Sequence, residues 1–165
     1  MFGYELVPAS IRDAASISLM SRQLIERGLT PSWAPQRIAA HIRHRESVVL
    51  TARAPQEIAG FAIMQFGDDS AHLNLLAVAP WHRRRGIARR LMVWLEETAL
   101  TAGSFDITLE LRATNIAAHA FYTALGYEEI ARIAGYYERI EDAIRMGRDV
   151  RPGRIFSRGG KACAS

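Results

Sequence analysis

Leu73-Asn-Leu-Leu-Ala-Val-Ala-Pro-Trp-His-Arg-Arg-Arg-Gly-Ile-Ala-Arg-Arg-Leu91 is the stretch on which the fold is read. An apolar run ends at Val78 and Pro80 stops it. Arg83, Arg84 and Arg85 follow, and Gly86-Ile87-Ala88 then opens a long amphipathic pattern. The order predicts a buried strand, a tight turn and a helix start. A helix start leaves its first backbone N–H groups without partners, and the helix dipole adds positive potential there. Gly86 and Ala88 are small enough for an anion to approach the backbone, so the turn is a candidate phosphate site. The sequence has no Gly-x-x-x-x-Gly-Lys-Ser/Thr and no Gly-x-Gly-x-x-Gly after a strand, which excludes the common nucleotide loops.

Working outward, 165 residues suffice for one domain with a real core, and 49% hydrophobic with 23% charged residues is an ordinary globular composition. No apolar run reaches membrane-spanning length and no N-terminal segment reads as a signal peptide, so a cytoplasmic protein with no membrane partner is expected. A single cysteine, Cys163, leaves no internal disulfide and fits a reducing compartment. The net charge of +4 resides in residues 151–165, where Arg151, Arg154, Arg158 and Lys161 meet no acid. A neutral body with arginines clustered at 83–90 suits a compact polyanion better than a long phosphate backbone. Residues 1–150 are expected to form one domain and 151–165 a basic, disordered tail.

Alternation at Phe2, Tyr4 and Leu6 predicts a short first strand ended by Pro8. Ser10 caps a helix expected to reach Arg27, and Pro35 starts a second reaching Arg45. Trp33, in the loop between them, either caps the core or lines a substrate mouth. Three strands follow at 47–53, 58–66 and 71–78, an antiparallel meander with short turns. A helix over 86–102 carries Ile87, Leu91, Trp94, Leu95 and Ala99 at helical spacing. Phe105–Arg112 alternates as a strand, Thr114 or Asn115 caps a helix to Leu125, and strands over 127–135 and 141–149 complete the chain. A meander joined through a helix to a further strand demands one parallel pair in a mostly antiparallel sheet. That pair must splay to admit a ligand, and the anion loop stands at the C-terminal end of its first strand.

Leu109-Glu-Leu-Arg-Ala-Thr-Asn-Ile-Ala-Ala-His-Ala-Phe-Tyr-Thr-Ala-Leu-Gly-Tyr127 is the second informative stretch. With Arg83-Arg-Arg-Gly-Ile-Ala88 it resembles the GNAT N-acetyltransferases. Within that family it is most similar to the bacterial ribosomal-protein-alanine N-acetyltransferases, over about residues 58–148. The resemblance implies an α/β (α+β) GNAT acyl-CoA N-acyltransferase fold, with a mixed, mostly antiparallel sheet, a central splayed parallel pair and flanking helices. It implies acetyl-CoA as co-substrate; no metal is expected, since no His/Cys/Asp/Glu set has metal-ligand spacing. Arg83, Arg84, Arg85, Gly86, Ile87, Ala88 and Arg89 would hold the pyrophosphate. Leu76, Ala77 and Val78 would bond the pantetheine as an added strand does, and a Val78 N–H left free by a bulge would donate to the oxyanion. Asn115, on the residues alone a helix N-cap, would also touch the cofactor arm.

Amide formation needs a proton acceptor for the amine, donors for the oxyanion and an acid for the leaving thiolate. Glu110 is a carboxylate in an otherwise apolar strand, where desolvation should raise its pKa toward neutrality. Otherwise it lies on a wet face and pairs with Arg112 or Arg132. The resemblance assigns it the base. Tyr122 carries a phenolic proton at neutral pH, and the resemblance assigns it the acid; the residues alone equally allow an aromatic packed beside Phe121. His72 is a rival base and His119 a rim residue. The family's acceptor groove is bordered by segments that here read Thr30-Pro-Ser-Trp-Ala-Pro35 and, after Tyr136-Tyr137, Glu138-Arg-Ile140. Trp33, Tyr136 and Tyr137 are therefore the candidate acceptor residues. The expected reaction moves acetyl directly to a primary amine, first a protein N-terminal α-amine. The alternatives are a small-molecule amine such as an amino acid, polyamine or antibiotic, or a non-catalytic acyl-CoA- or RNA-binding module. Nucleic acid is not expected as a partner, and the chain is expected as a monomer or homodimer.

Overall fold

The computed structural model describes residues 3–156. Phe2, Arg158, Lys161 and Cys163, named above, lie outside them. The order of elements is the expected one: β1 (Glu5–Pro8), α1 (Ala14–Leu24), α2 (Pro35–Arg43), β2 (Ser47–Arg53), β3 (Ile58–Phe66), β4 (Ser70–Val78), α3 (Ile87–Ala102), β5 (Asp106–Arg112), α4 (Ile116–Ala124), β6 (Glu128–Tyr137) and β7 (Glu141–Asp149).

The first helix is shorter than expected at both ends. Asp13 accepts from the Ser10 N–H at 2.8 Å and also bonds its hydroxyl, and this draws residues 11–13 into a 3-10 turn ahead of α1. At the other end both Ile25 and Glu26 donate their N–H to the Ser21 carbonyl at 2.9 Å. The chain turns there, three residues before Arg27.

One seven-stranded sheet runs β1-β2-β3-β4-β5-β7-β6. All pairs are antiparallel except β4 with β5, and that parallel pair is short, covering Ser70–Leu73 against Asp106–Leu109. What ends it is one extra residue. Along β3, Ile63 faces Leu75 while the next residue, Met64, faces Leu73, so Asn74 is a bulge. The bulge moves β4's side chains from one face of the sheet to the other. Ala71 and Leu73 pack in the core shared with α3 and α4, whereas Leu75 and Ala77 pack in the core under α1 and α2. A bulge bends its strand, and β4 parts from β5 at this point.

The two cores make a three-layer molecule. Leu91, Met92 and Leu95 of α3 meet Ile107 and Leu109 of β5, with Tyr122 and Tyr127, on one face. Ile17, Ile38 and Trp33 meet Phe61 and Ile63 on the other. The alternation foreseen for β5 is present: Ile107, Leu109 and Leu111 are buried and the residues between them half-exposed. Beyond β7 the chain stays on the sheet. The Val150 N–H bonds the Phe105 carbonyl at 2.9 Å, and Arg151 pairs with Asp149 at 2.6 Å and covers the Phe105 ring. Phe156 lies so close over Gly147 that a Cβ there would stand 2.6 Å from its ring. No helix among the described residues is long and apolar enough to cross a membrane.

Candidate active site

Where β4 and β5 diverge there is a cleft of about 1170 Å³. It is walled by the second half of β4, the Arg83–Arg89 turn, α4, the α1–α2 connection and the β6–β7 turn. On its β4 side, pairing with β5 has ended at Leu73, so the edge of Leu76–Val78 toward β5 carries no strand. Backbone groups alternate in direction along a strand. The Ala79 N–H points to the Ala59 carbonyl of the β3 side at 2.8 Å. The N–H and C=O of Val78, and of Leu76 two residues before, therefore point into the cleft. The Val78 carbonyl accepts from Arg83 Nε at 3.2 Å on this side. The bulge expected beside Val78 is a correction: it falls at Asn74, and Val78 pairs in register with Gly60. The cleft-facing Val78 N–H follows from the splay instead. Ala77 has its backbone turned toward β3, so it lines the cleft without offering it these groups.

The turn at the cleft's end has Arg84 at φ 61° and Gly86 at φ 76° around Arg85. Such alternation gathers successive N–H groups into a concave anion site. Among the described residues, no turn or cap bond to a backbone carbonyl is donated by the N–H groups of Arg84 to Arg89; Arg90 is the first, to Gly86 at 3.0 Å. Arg83, Arg84, Gly86, Ile87, Ala88 and Arg89 line the cleft. Arg85 does not: it reaches back to the Tyr4 hydroxyl at 3.0 Å. Tyr4 in turn bonds His82 Nδ1 at 2.8 Å, and His82 Nε2 meets Glu57 at 2.6 Å. Hydrogen bonds from His82 and then Trp81 hold the Glu57 carboxyl below its ordinary pKa. This chain braces the turn from behind, before any ligand arrives.

At the splay itself stands Glu110, its side chain 10% exposed. One oxygen meets His72 Nε2 at 2.9 Å and the other accepts from Arg145 Nε at 2.9 Å. His72 Nδ1 lies 3.0 Å from the Thr108 hydroxyl. An ionised carboxylate only accepts, so His72 Nε2 is the donor to Glu110. Burial is the largest single influence on Glu110 and raises its pKa, as expected. The hydrogen bonds and charges of His72 and Arg145 together outweigh it, and the net direction is downward. The expectation of a raised value is thus overturned, and so are the expected partners. Arg112 is taken up by Glu141 at 2.5 Å, and the ion pair at Glu110 is with Arg145, directly opposite in the β5–β7 register.

Tyr122 lines the cleft and is otherwise sunk in the core, edge-on to Phe121 and Tyr127. Burial, with Tyr137 nearby, pushes its hydroxyl well above the ordinary phenol range. It stays protonated at neutral pH. Asn115 caps α4, its side chain accepting from the Ala118 N–H at 3.1 Å, and also lines the cleft. His119 pairs with Glu129 at 3.3 Å and is not in the wall.

On the far side Trp33 is buried in the α1–α2 core and also lines the cleft, under the Arg37 guanidinium. Tyr136 and Tyr137 line the same mouth. Burial raises both hydroxyls, and the Glu110 charge adds to it, so both stay neutral beside the carboxylate. Sequence reasoning missed Arg145, Thr108 and Glu26, and named the Glu138 segment at the acceptor groove without its bond to Thr30. Arg145 was within reach, because pairing the strands at 106–112 and 141–149 sets it opposite Glu110. Thr108 stands opposite His72 in the parallel β4–β5 register, which neither strand's own pattern fixes, and Glu26 depends on a loop path that no local pattern encodes.

The comparisons with known proteins agree with this geometry. The model of the acetyltransferase (GNAT) family matches residues 17–127. The chain is 40% identical over 100 residues to the [ribosomal protein bS18]-alanine N-acetyltransferase of Salmonella typhimurium, covering 59% of this chain and 68% of that protein. It is 41% identical over 66 residues to the N-terminal acetyltransferase B complex catalytic subunit naa20 of Schizosaccharomyces pombe, covering 40% of this chain and 37% of that one. The crystal structure of the ribosomal-protein-S18-alanine N-acetyltransferase from Escherichia coli superposes with a TM-score of 0.77 at 26% identity, over 93% of this chain and 99% of that one.

Proposed function

The chain belongs to the acetyltransferase (GNAT) family, and from that premise we propose that it moves acetyl from acetyl-CoA to the N-terminal α-amine of a protein. One observation carries the reading. A free strand edge and a turn with N–H groups available to an anion flank a cleft that an ionised carboxylate and a protonated phenol both line. The pyrophosphate sits on the N–H groups of the 84–89 turn. The pantetheine arm runs along Leu76–Val78 as an added strand, and the Val78 N–H faces the thioester oxygen. The amine nitrogen attacks the thioester carbon and gives up a proton to Glu110, directly or through water. The carbon–sulfur bond then breaks, and the thiolate takes its proton from Tyr122. His72 and Arg145 fix the carboxylate, and half-exposed His72 gives the captured proton a way out. The choice of a protein N-terminus is supported by the acceptors named for the bS18-alanine enzyme and the acetyltransferase B subunit. Acetyl-CoA as donor assigns the reaction to the cytoplasm in this reading.

Calorimetry with acetyl-CoA, followed by a panel of N-terminal peptides and small amines, tests it. Binding with transfer to the peptides is expected. Transfer confined to small amines would overturn the acceptor, and absence of binding would overturn the cleft as a cofactor site.

A further inference from the structure

The α1–α2 connection, residues 25–34, crosses the acceptor side of the cleft without regular structure. Three carboxylate or guanidinium groups nevertheless fix its path. Buried Glu26 knits it from within, accepting from the Ser21 hydroxyl at 3.0 Å, the Ser32 N–H at 2.5 Å and the Trp33 N–H at 3.2 Å. Arg112 reaches it from β5, donating to the Arg27 carbonyl at 2.6 Å and the Ile25 carbonyl at 3.4 Å. Glu138 reaches it from the opposite wall and accepts from the Thr30 N–H at 2.8 Å.

The last two contacts span 85 and 108 residues of sequence, and each hangs from an element of the catalytic centre. Arg112 lies two residues beyond Glu110 on the same face of β5, and Glu138 directly follows Tyr137. The β6–β7 turn is also an unfavourable one for its sequence. Glu138 and Arg139 stand at φ 53° and 61°, where side chains other than Gly, Asn or Asp cost about 1–2 kcal/mol each. An Asn-Gly pair would relieve that cost. The turn carries it where the Glu138 side chain bridges the mouth.

We propose that Glu138 and Arg112 are positioning residues that hold the α1–α2 connection at a fixed distance from Glu110 and so set which amine enters. This rests on the proposed acetyl transfer and adds what determines the acceptor. The wall they hold admits the leading amine of an extended chain between Trp33 and Tyr136–Tyr137. A released wall loses that grip, at a cost to peptides and not to compact amines that need no wall.

The test compares Glu138→Ala with Glu138→Gln, since glutamine keeps the acceptor oxygen but not the charge, and adds Arg112→Gln. For Glu138→Ala, the loss of one charge-assisted bond should raise the peptide KM about tenfold at nearly constant kcat. The peptide-to-small-amine preference should fall by the same factor. Acetyl-CoA affinity by calorimetry should not change, and hydrogen exchange of the Thr30 amide should accelerate. Glu138→Gln should restore both KM and exchange. Unchanged KM in Glu138→Ala despite faster Thr30 exchange would overturn the proposal. So would a Glu138→Gln as impaired as the alanine variant, because charge and not the bond would then be at work. If the wild type accepts only small amines, the N-terminal reading fails on its own. The struts are then judged by Thr30 exchange alone, and exchange that stays at the wild-type rate in Glu138→Ala overturns them.

Discussion

Glu110 is held ionised by two partners on neighbouring strands, and that has consequences for both chemistry and stability. Its folded pKa lies below its ordinary value. The stabilisation it brings is therefore complete above the ordinary carboxylate range and is lost as pH falls through the folded pKa. Glu110→Gln should flatten the acid limb of a stability-versus-pH curve followed by chemical denaturation. The same change should lower kcat by about 10²-fold or more, the scale of a lost general base, while His72→Gln costs less. Tyr122→Phe removes one oxygen from a packed site and leaves the rings against Phe121 and Tyr127 in place. Turnover should drop with acetyl-CoA affinity and melting temperature nearly unchanged; wild-type turnover in this variant would remove Tyr122 as the acid. The roles proposed for both residues came from the resemblance of the 109–127 stretch and not from their own composition or spacing. The pKa direction of Glu110 was not legible, because burial is visible in an apolar strand pattern but the opposing His72 and Arg145 come from other strands.

Among the elements, the turn into α3 couples sequence to function most directly. Gly86 has open space where a Cβ would stand and a left-handed backbone, so its constraint is conformational. Gly86→Asn, which tolerates that conformation, should retain acetyl-CoA binding. Gly86→Asp puts a negative charge on the anion-binding N–H groups and should weaken binding about tenfold or more, measured by calorimetry on both variants. Equal affinity in the two would show that the turn does not hold the phosphates. The bounds of β2, β3 and β7 were legible because Gly, Pro and Asp punctuate them. The end of α1 was misjudged because the Ser21 carbonyl and the Glu26 carboxylate close it, and neither is a sequence breaker. The bulge was expected four residues too late. Asn74 sits in an alternation of buried and half-buried residues that continues unbroken through it, so the change of face leaves no trace in the hydropathy pattern.

At the scale of the molecule, the parallel pair in an otherwise antiparallel sheet followed from chain order alone, since a helix between two strands cannot join them antiparallel in so short a path. How the two walls of the cleft face each other did not follow, because side chains 85 to 108 residues apart hold them. The open stretch of β4 has one further consequence. Leu76–Val78 presents unpaired backbone groups in the middle of a sheet, the kind of edge on which another chain can template a strand. The Arg83 side chain covers part of it. Acetyl-CoA would then act as a chaperone for its own enzyme, occupying the edge and shifting the folding equilibrium by mass action. At a hundredfold excess over Kd the shift is about 2.7 kcal/mol. Light scattering during a slow thermal ramp should show the empty protein aggregating earlier than the loaded one, with the gap widening as the logarithm of acetyl-CoA concentration. Cellular supply of the cofactor would in that way govern how much of this protein survives as well as how fast it turns over.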